Sequence, residues 1–417
     1  MHDAQNNQYK FSTNIFFVIL IIYGLFSSST PDQITPIEIL IGIFLLIFVG
    51  TEGIKELLQS KIDHTTDQEI IIPNIIKISF WYLVFIPSFL GLIVYENSLK
   101  NWLRDIIPLF YLFLPLLLIK KINKIPKKLF LISIMGLSIV GLLFSIKFYV
   151  GATGGFGDIG SGQIIGTNRD NTMQDPAVQL TLSLGTCLSI WLLLKGKLVQ
   201  GLSIASISLI PWTVMFAAIV RGPVFFTFLS IIILIIYWFI INNKRLRALF
   251  FLFLVGLLII NFGQNIVDII KNSINLLIEK QLEHGLNSRD IELQVVIGSL
   301  NKNIFSFFFG NGWGSLIEIP NIAIIRNMHN IFFYFLYKSG FVGFVCVGLF
   351  FLWITKFIFL IAFRSIFFTL VLIALINPFI YGSMFQPMYK SLSFGVIMIL
   401  FPLMNNLYKK DEFSKWL

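Results

Sequence analysis

Charge is scarce in this chain of 417 residues: Asp, Glu, Lys and Arg make up 12% of it, against 56% hydrophobic residues. A soluble domain of this length could not keep that much apolar surface out of water. Cysteine and histidine are also few. Cys187 and Cys346 both lie in apolar runs, and the four histidines (His2, His64, His284 and His329) form no Cys/His cluster at zinc-like spacing. A disulfide framework and a structural zinc are thereby excluded. The sequence also lacks HExxH, GxSxG, a dinucleotide fingerprint and a phosphate-binding loop with lysine. Those absences argue against a metalloprotease, a nucleophile-elbow hydrolase and an ATP-driven pump. No metal and no cofactor are expected.

What the chain has instead is length of apolar run, with 45 Phe and a mean hydropathy of +0.85. A bilayer core takes about 20 mostly apolar residues per helix. Such stretches recur near 11–28, 36–53, 74–95, 105–120, 129–150, 176–194, 200–220, 223–241, 246–263, 330–354, 364–381 and 390–407. The expected fold class is all-α: one polytopic membrane domain of about twelve spans over 1–417. The first span follows Lys10 with no small-residue cleavage site behind it, so it reads as a retained anchor.

Cytoplasmic loops carry the excess of Lys and Arg. With the N-terminus inside, 19 basic residues fall on the cytoplasmic side, among them Lys120, Lys121, Lys124, Lys127 and Lys128; ten fall outside and two, Lys147 and Lys338, within helices. Acids divide eight inside and 13 outside, so the net charge of +10 splits as +11, −3 and +2. The high pI therefore reports topology and anionic lipid, not nucleic acid.

One connection is long. Gln264 to Met328 is 65 residues without a span, external on this topology, and loops of that length are usually functional. Its start, Gln264 to Glu283, has the apolar spacing of a helix lying on the membrane surface or capping the bundle. Asn287 or Ser288 can then cap a second short helix carrying Arg289, Ile291, Val295 and Val296. A second external insert, Gly151 to Asp175, has seven glycines in its first sixteen positions and no GxxxxGK, which reads as a linker.

The external polar residues that could carry chemistry are few. Arg221, in Val220-Arg221-Gly222-Pro223, stands at a tight turn between two spans. It is either a snorkelling interfacial arginine or an anion ligand. Arg289 opens a helix, where backbone N–H groups and a guanidinium together suit a diphosphate or carboxylate, unless Arg289 pairs with Glu292 one turn on. Arg169 either bridges Asp170 or Asp175 or joins the same anion site. Lys147 and Lys338 read as structural, near enough to helix ends or a cavity to snorkel. His329 opens the tenth span, where the helix dipole disfavours imidazolium and keeps the ring able to accept a proton; an interfacial anchor is the alternative.

Several of these residues occur in a recognisable order. Arg221 in a short external turn is followed by a long loop with Arg289, then Phe309-Gly310-Asn311-Gly312-Trp313-Gly314. Then come His329-Asn330 and Lys338-Ser339-Gly340-Phe341-Val342-Gly343. Over roughly residues 165 to 345 this resembles the O-antigen polymerase and O-antigen ligase superfamily. There a Ser-Arg-Gly-like turn, a loop arginine, a glycine-rich stretch and a His-Asn pair before a Gly-x-x-Gly helix recur. The chain departs from that pattern at Val220, where Ser is usual, and at Lys338, where an acid is common.

The resemblance implies a metal-independent membrane glycosyltransferase of the C type in the bacterial cytoplasmic membrane, active on the external face. It would take a glycan from an undecaprenyl diphosphate carrier and pass its reducing end to an acceptor hydroxyl. His329 would be the general base, Arg221 and Arg289 would neutralise the diphosphate, with Arg169 a further candidate, and Trp313 or Phe309 could stack on sugars. A polymerase, using carrier-linked repeat units as donor and acceptor alongside chain-length regulator or flippase proteins, is the favoured reading. A ligase delivering glycan to lipid A core is the alternative. A polysaccharide flippase is the reading from another class, disfavoured because ionisable groups are scarce in the early spans.

Overall fold

The computed structural model describes residues 2–27, 36–59, 70–153, 171–217, 221–241, 289–319, 323–325, 328–362 and 365–410. Among them, nine helices are long and apolar enough to cross a membrane. The helices in order are α1 (His2–Phe26), α2 (Pro36–Leu58), α3 (Asn74–Phe89), α4 (Leu99–Leu112), α5 (Leu114–Leu117), α6 (Ile119–Lys124) and α7 (Pro126–Thr153). They continue as α8 (Pro176–Leu194), α9 (Leu198–Ala217), α10 (Arg221–Ile241), α11 (Arg289–Leu300), α12 (Ile304–Phe309), α13 (Ile331–Ile361), α14 (Ile366–Ile380) and α15 (Leu392–Lys409). The protein is a polytopic helical membrane protein. Helices suit this sequence because each satisfies its own backbone polar groups while its apolar side chains face lipid or one another. Phe359 and Leu352 on α13, 80% and 67% exposed, are lipid-facing by this logic. The expected ninth span at 246–263 and the surface helix at 264–283 lie outside the described residues.

The fourth expected span differs from a single helix. It starts earlier, at Leu99, and breaks at Phe113 and Leu118 into α4, α5 and α6. Pro108 and Pro115 each lack the N–H a helix interior needs, and Pro115 opens α5. The last helix, α15, occupies the centre of the bundle, against α4–α8, α13 and α14. Its Ser393, Asn405 and Asn406 are all buried, and polar side chains of that kind are costly against lipid.

Lysines gather at one end of the bundle. There Asn123 on α6 exchanges two 3.0 Å hydrogen bonds with the backbone of Ile70. The Asn406 amide donates to the Ile122 carbonyl and the Asn123 side chain, both at 3.0 Å. Glu56 takes ion pairs from Lys77 and Lys120 at 3.7 and 3.4 Å. The last turns of α2 and α15 are thus tied to α6.

At the opposite end, the described part of the long insert is folded into the bundle. After α11 and α12 the chain makes a hairpin of two three-residue strands, Ile317–Ile319 and Ala323–Ile325, with Glu318 opposite Ile324. The all-α expectation needs that small amendment, and the isoleucines of both strands suit it. The glycine stretch enters a gap between α3 and α13. Pro87 in α3 has no N–H, so the carbonyl of Leu83 one turn earlier lacks its helical donor. The Trp313 indole supplies one at 2.8 Å, and the Trp313 backbone N–H donates to Pro87 at 2.9 Å. On the other side α13 kinks at Gly340 (φ 67°), which frees the carbonyls just before it. Asn311 and Gly312 donate to Tyr337 and Lys338 at 3.0 and 2.8 Å, and the Tyr82 hydroxyl donates to Ser339 at 3.2 Å. A β-carbon at Gly340 would collide with the backbone of Phe308, and one at Gly312 with that of Gly91. The sequence motif is a packing device: it fills two helix interruptions at once.

Candidate functional site

His329 stands two residues ahead of α13. Its position is defined by its neighbours: Met328 is fully buried, and Asn330 caps the helix, its side-chain oxygen accepting from Phe332 and Phe333 at 2.8 and 3.4 Å. The His329 ring keeps about a third of its side-chain surface exposed. Its Nδ1 lies 2.7 Å from Glu292 Oε1, and its backbone N–H donates to Glu292 Oε2 at 3.3 Å.

Glu292 is 2% exposed. It occupies the buried stripe of α11 with Val296, Ser299 and Leu300, one and two turns on. A carboxylate there would be costly without a donor, and His329 provides two. With the carboxylate on Nδ1, the neutral ring carries its proton there and presents Nε2 as the acceptor. The sequence offers Glu292 as one of two alternative partners for Arg289, whose side chain is outside the described residues; in the structure the carboxylate contacts His329. In sequence, its signal is an acid in step with apolar Val296 and Leu300.

Arg289 is the first residue of α11, so its backbone lies one turn from Glu292. Arg221 is the first residue of α10. Gly222 beside it is packed so closely on the Tyr381 ring that a β-carbon would collide with it, and Pro223 accepts a 3.0 Å hydrogen bond from Asn377. From Tyr381 the segment 381–385 reaches His329's neighbour: Asn330 donates to the Met384 sulfur at 3.6 Å. The starts of α10, α11 and α13 therefore share one end of the bundle. The side chains of Arg221 and Arg289, and Arg169 altogether, lie outside the described residues.

A second charged cluster lies beneath. Asp105 on α4 accepts from the Lys338 ammonium and the Gly314 backbone on Oδ2, both at 2.8 Å. Its Oδ1 accepts from the Tyr334 hydroxyl at 2.7 Å and the Lys390 ammonium at 3.1 Å. Lys338 also donates to the Ser315 carbonyl. Asp105, Lys338 and Lys390 are all buried. Lys338 thus does not snorkel; its carboxylate partner comes from another helix. Sequence reasoning missed Asp105, although an acid opening an apolar span is a signal. Trp313 is completely buried, with its ring against Tyr334 and Phe335, so stacking on a sugar is ruled out for it; Phe309 is half-buried.

Scans of this chain against protein-family models, curated proteins and solved structures each return no match. The chemistry on offer is therefore that of the residues themselves. It is a carboxylate-oriented, partly exposed imidazole, at the same end as two helix starts that each begin with arginine. Among the described residues no group of three or more His, Cys, Asp and Glu side chains could hold a metal ion.

Proposed function

We propose that the chain is a membrane glycosyltransferase that polymerises undecaprenyl-diphosphate-linked oligosaccharide repeat units into a surface polysaccharide. The observation that carries the reading is the Glu292–His329 pair at the mouth of α13. His329 Nε2 takes the proton of an acceptor hydroxyl as its oxygen bonds to the reducing-end carbon of the donor glycan. The bond from that carbon to the diphosphate breaks, and the leaving diphosphate takes the electron pair. Glu292 stabilises the imidazolium formed. Arg221 and Arg289, with Arg169 as a further candidate, neutralise the diphosphate. The lysine-rich end faces the cytoplasm and the His329 end faces outward.

The test is the glycan of a deletion strain complemented with wild type or His329→Ala. A surface lipid capped with a single repeat unit, restored to long chains by wild type alone, supports the proposal. Long carrier-bound polymer that never reaches its surface acceptor indicates a ligase, and an unchanged glycan removes both. Removing the base should lower the transfer rate by about 100-fold to 10,000-fold.

A further inference from the structure

The two charged clusters are joined by one short segment. After α14 and its continuation to Phe385, Pro387–Lys390 forms a single tight turn that leads into α15. Lys390 at its end reaches Asp105 and lies 4.0 Å over the Tyr334 ring. Tyr389 beside it is 2% exposed, packs on Tyr334 with ring centroids 5.5 Å apart, and donates its hydroxyl to the Met328 carbonyl at 3.1 Å. Met328 immediately precedes His329. The backbone entering His329 is thus held from one side by Tyr389 and from the other by Glu292.

Asp105 clamps the same stretch at both ends. Gly314 donates to it before the hairpin and Tyr334 after it, so the excursion carrying His329 leaves and returns through one carboxylate. Burial foremost, then the charges of Asp105 and Glu292, push the Tyr389 phenol well up, so it remains a proton donor.

We propose that Tyr389 is a positioning residue: through the Met328 carbonyl its hydroxyl fixes where the His329 ring stands against Glu292 and ties that geometry to the Asp105 cluster. The catalytic consequence rests on the base role proposed for His329; the geometric one does not. A shift of about 1 Å in a reacting group can cost on the order of 100-fold in rate. A hydroxyl acting on the residue next to His329 is therefore enough to matter.

Tyr389→Phe removes the hydrogen bond and keeps the ring. The chain has only four histidines, so nitrogen spectra of the full-length protein labelled in histidine can be assigned with His329→Ala as the reference. In wild type, the His329 nitrogens should report one state, with Nδ1 held against Glu292; in Tyr389→Phe they should average over more than one. In the transfer assay the same variant should lower kcat by about 10-fold to 100-fold, leave KM for the donor unchanged, and add no loss to His329→Ala. Unaltered His329 resonances in Tyr389→Phe overturn the proposal, as does an additive loss with His329→Ala. A wild-type protein that transfers no glycan defeats the proposed function instead, while the spectra still decide the positioning role. If Tyr389→Phe does not accumulate, 3-fluorotyrosine at 389, a stronger donor, should shift the His329 resonances in the opposite sense; no shift again overturns the proposal.

Discussion

Asp105 and Glu292 are both buried carboxylates, 5% and 2% exposed, and the protein holds them in opposite ways. Asp105 receives donors from four side-chain and backbone groups on three other segments, and both of its cationic partners are buried with it. Glu292 is held, among the described residues, by His329 alone, whose ring reaches the surface. A carboxylate saturated by buried partners has little left to offer a substrate. One that shares a single, partly exposed imidazole can orient it and stabilise its charge. The first arrangement holds segments together; the second is the one the proposed proton transfer would use.

The contrast predicts which substitutions cost stability and which cost turnover. The largest structural effect should come from Asp105→Ala, which leaves two ammoniums in the interior without their shared carboxylate. Removing one partner of a buried ion pair costs about 3–5 kcal/mol, so the variant should show a sharply lower thermal midpoint in detergent or fail to accumulate. His329→Ala takes the ring from the buried Glu292 but leaves the backbone donor in place, so it should lower that midpoint less than Asp105→Ala does, at a cost of about 1–3 kcal/mol. A His329→Ala protein as unstable as Asp105→Ala would erase the distinction between the clusters.

Trp313→Phe sharpens the comparison from the packing side. It preserves the aromatic volume and leaves the Leu83 carbonyl, already deprived of a helical donor by Pro87, without the indole. The cost of an unsatisfied buried acceptor is about 1–3 kcal/mol, read in the same unfolding measurement, and a neutral result would mean that α3 closes over its own interruption. The smallest effect belongs to Asn330→Ala, which removes the cap of α13 and should cost about 1 kcal/mol. Because Asn330 adjoins His329, turnover should fall more than that loss of stability explains; an equal fall would make the residue a cap and nothing else.

Much of this was legible in residue order. An acid, lysine or asparagine inside an apolar run marks a face that cannot meet lipid, and α15 with its two asparagines is central for that reason. The short helix α11 was legible from the spacing of Ile291, Val295 and Val296. The broken α4–α6 was only partly so: two prolines in one span announce an interruption, but not where the chain bends. The roles of Glu292 and Asp105 were harder to see. Each pairs with a residue far away in the chain, His329 37 positions on and Lys338 233 positions on, and no local pattern encodes a meeting between separate helices.

The glycine stretch marks the same boundary. In the sequence its glycines stood only as part of a motif, although glycine is the residue that leaves room for backbone to approach backbone. Only the assembled bundle decided what it approaches: the carbonyls left by Pro87 on one side and by the kink at Gly340 on the other. By itself the sequence determined that the chain is helical, built for lipid, and more basic in one set of its loops. The tertiary structure decided which buried charges meet, because ion pairing depends on distances of a few ångströms between helices, whereas hydropathy is a property of each helix alone.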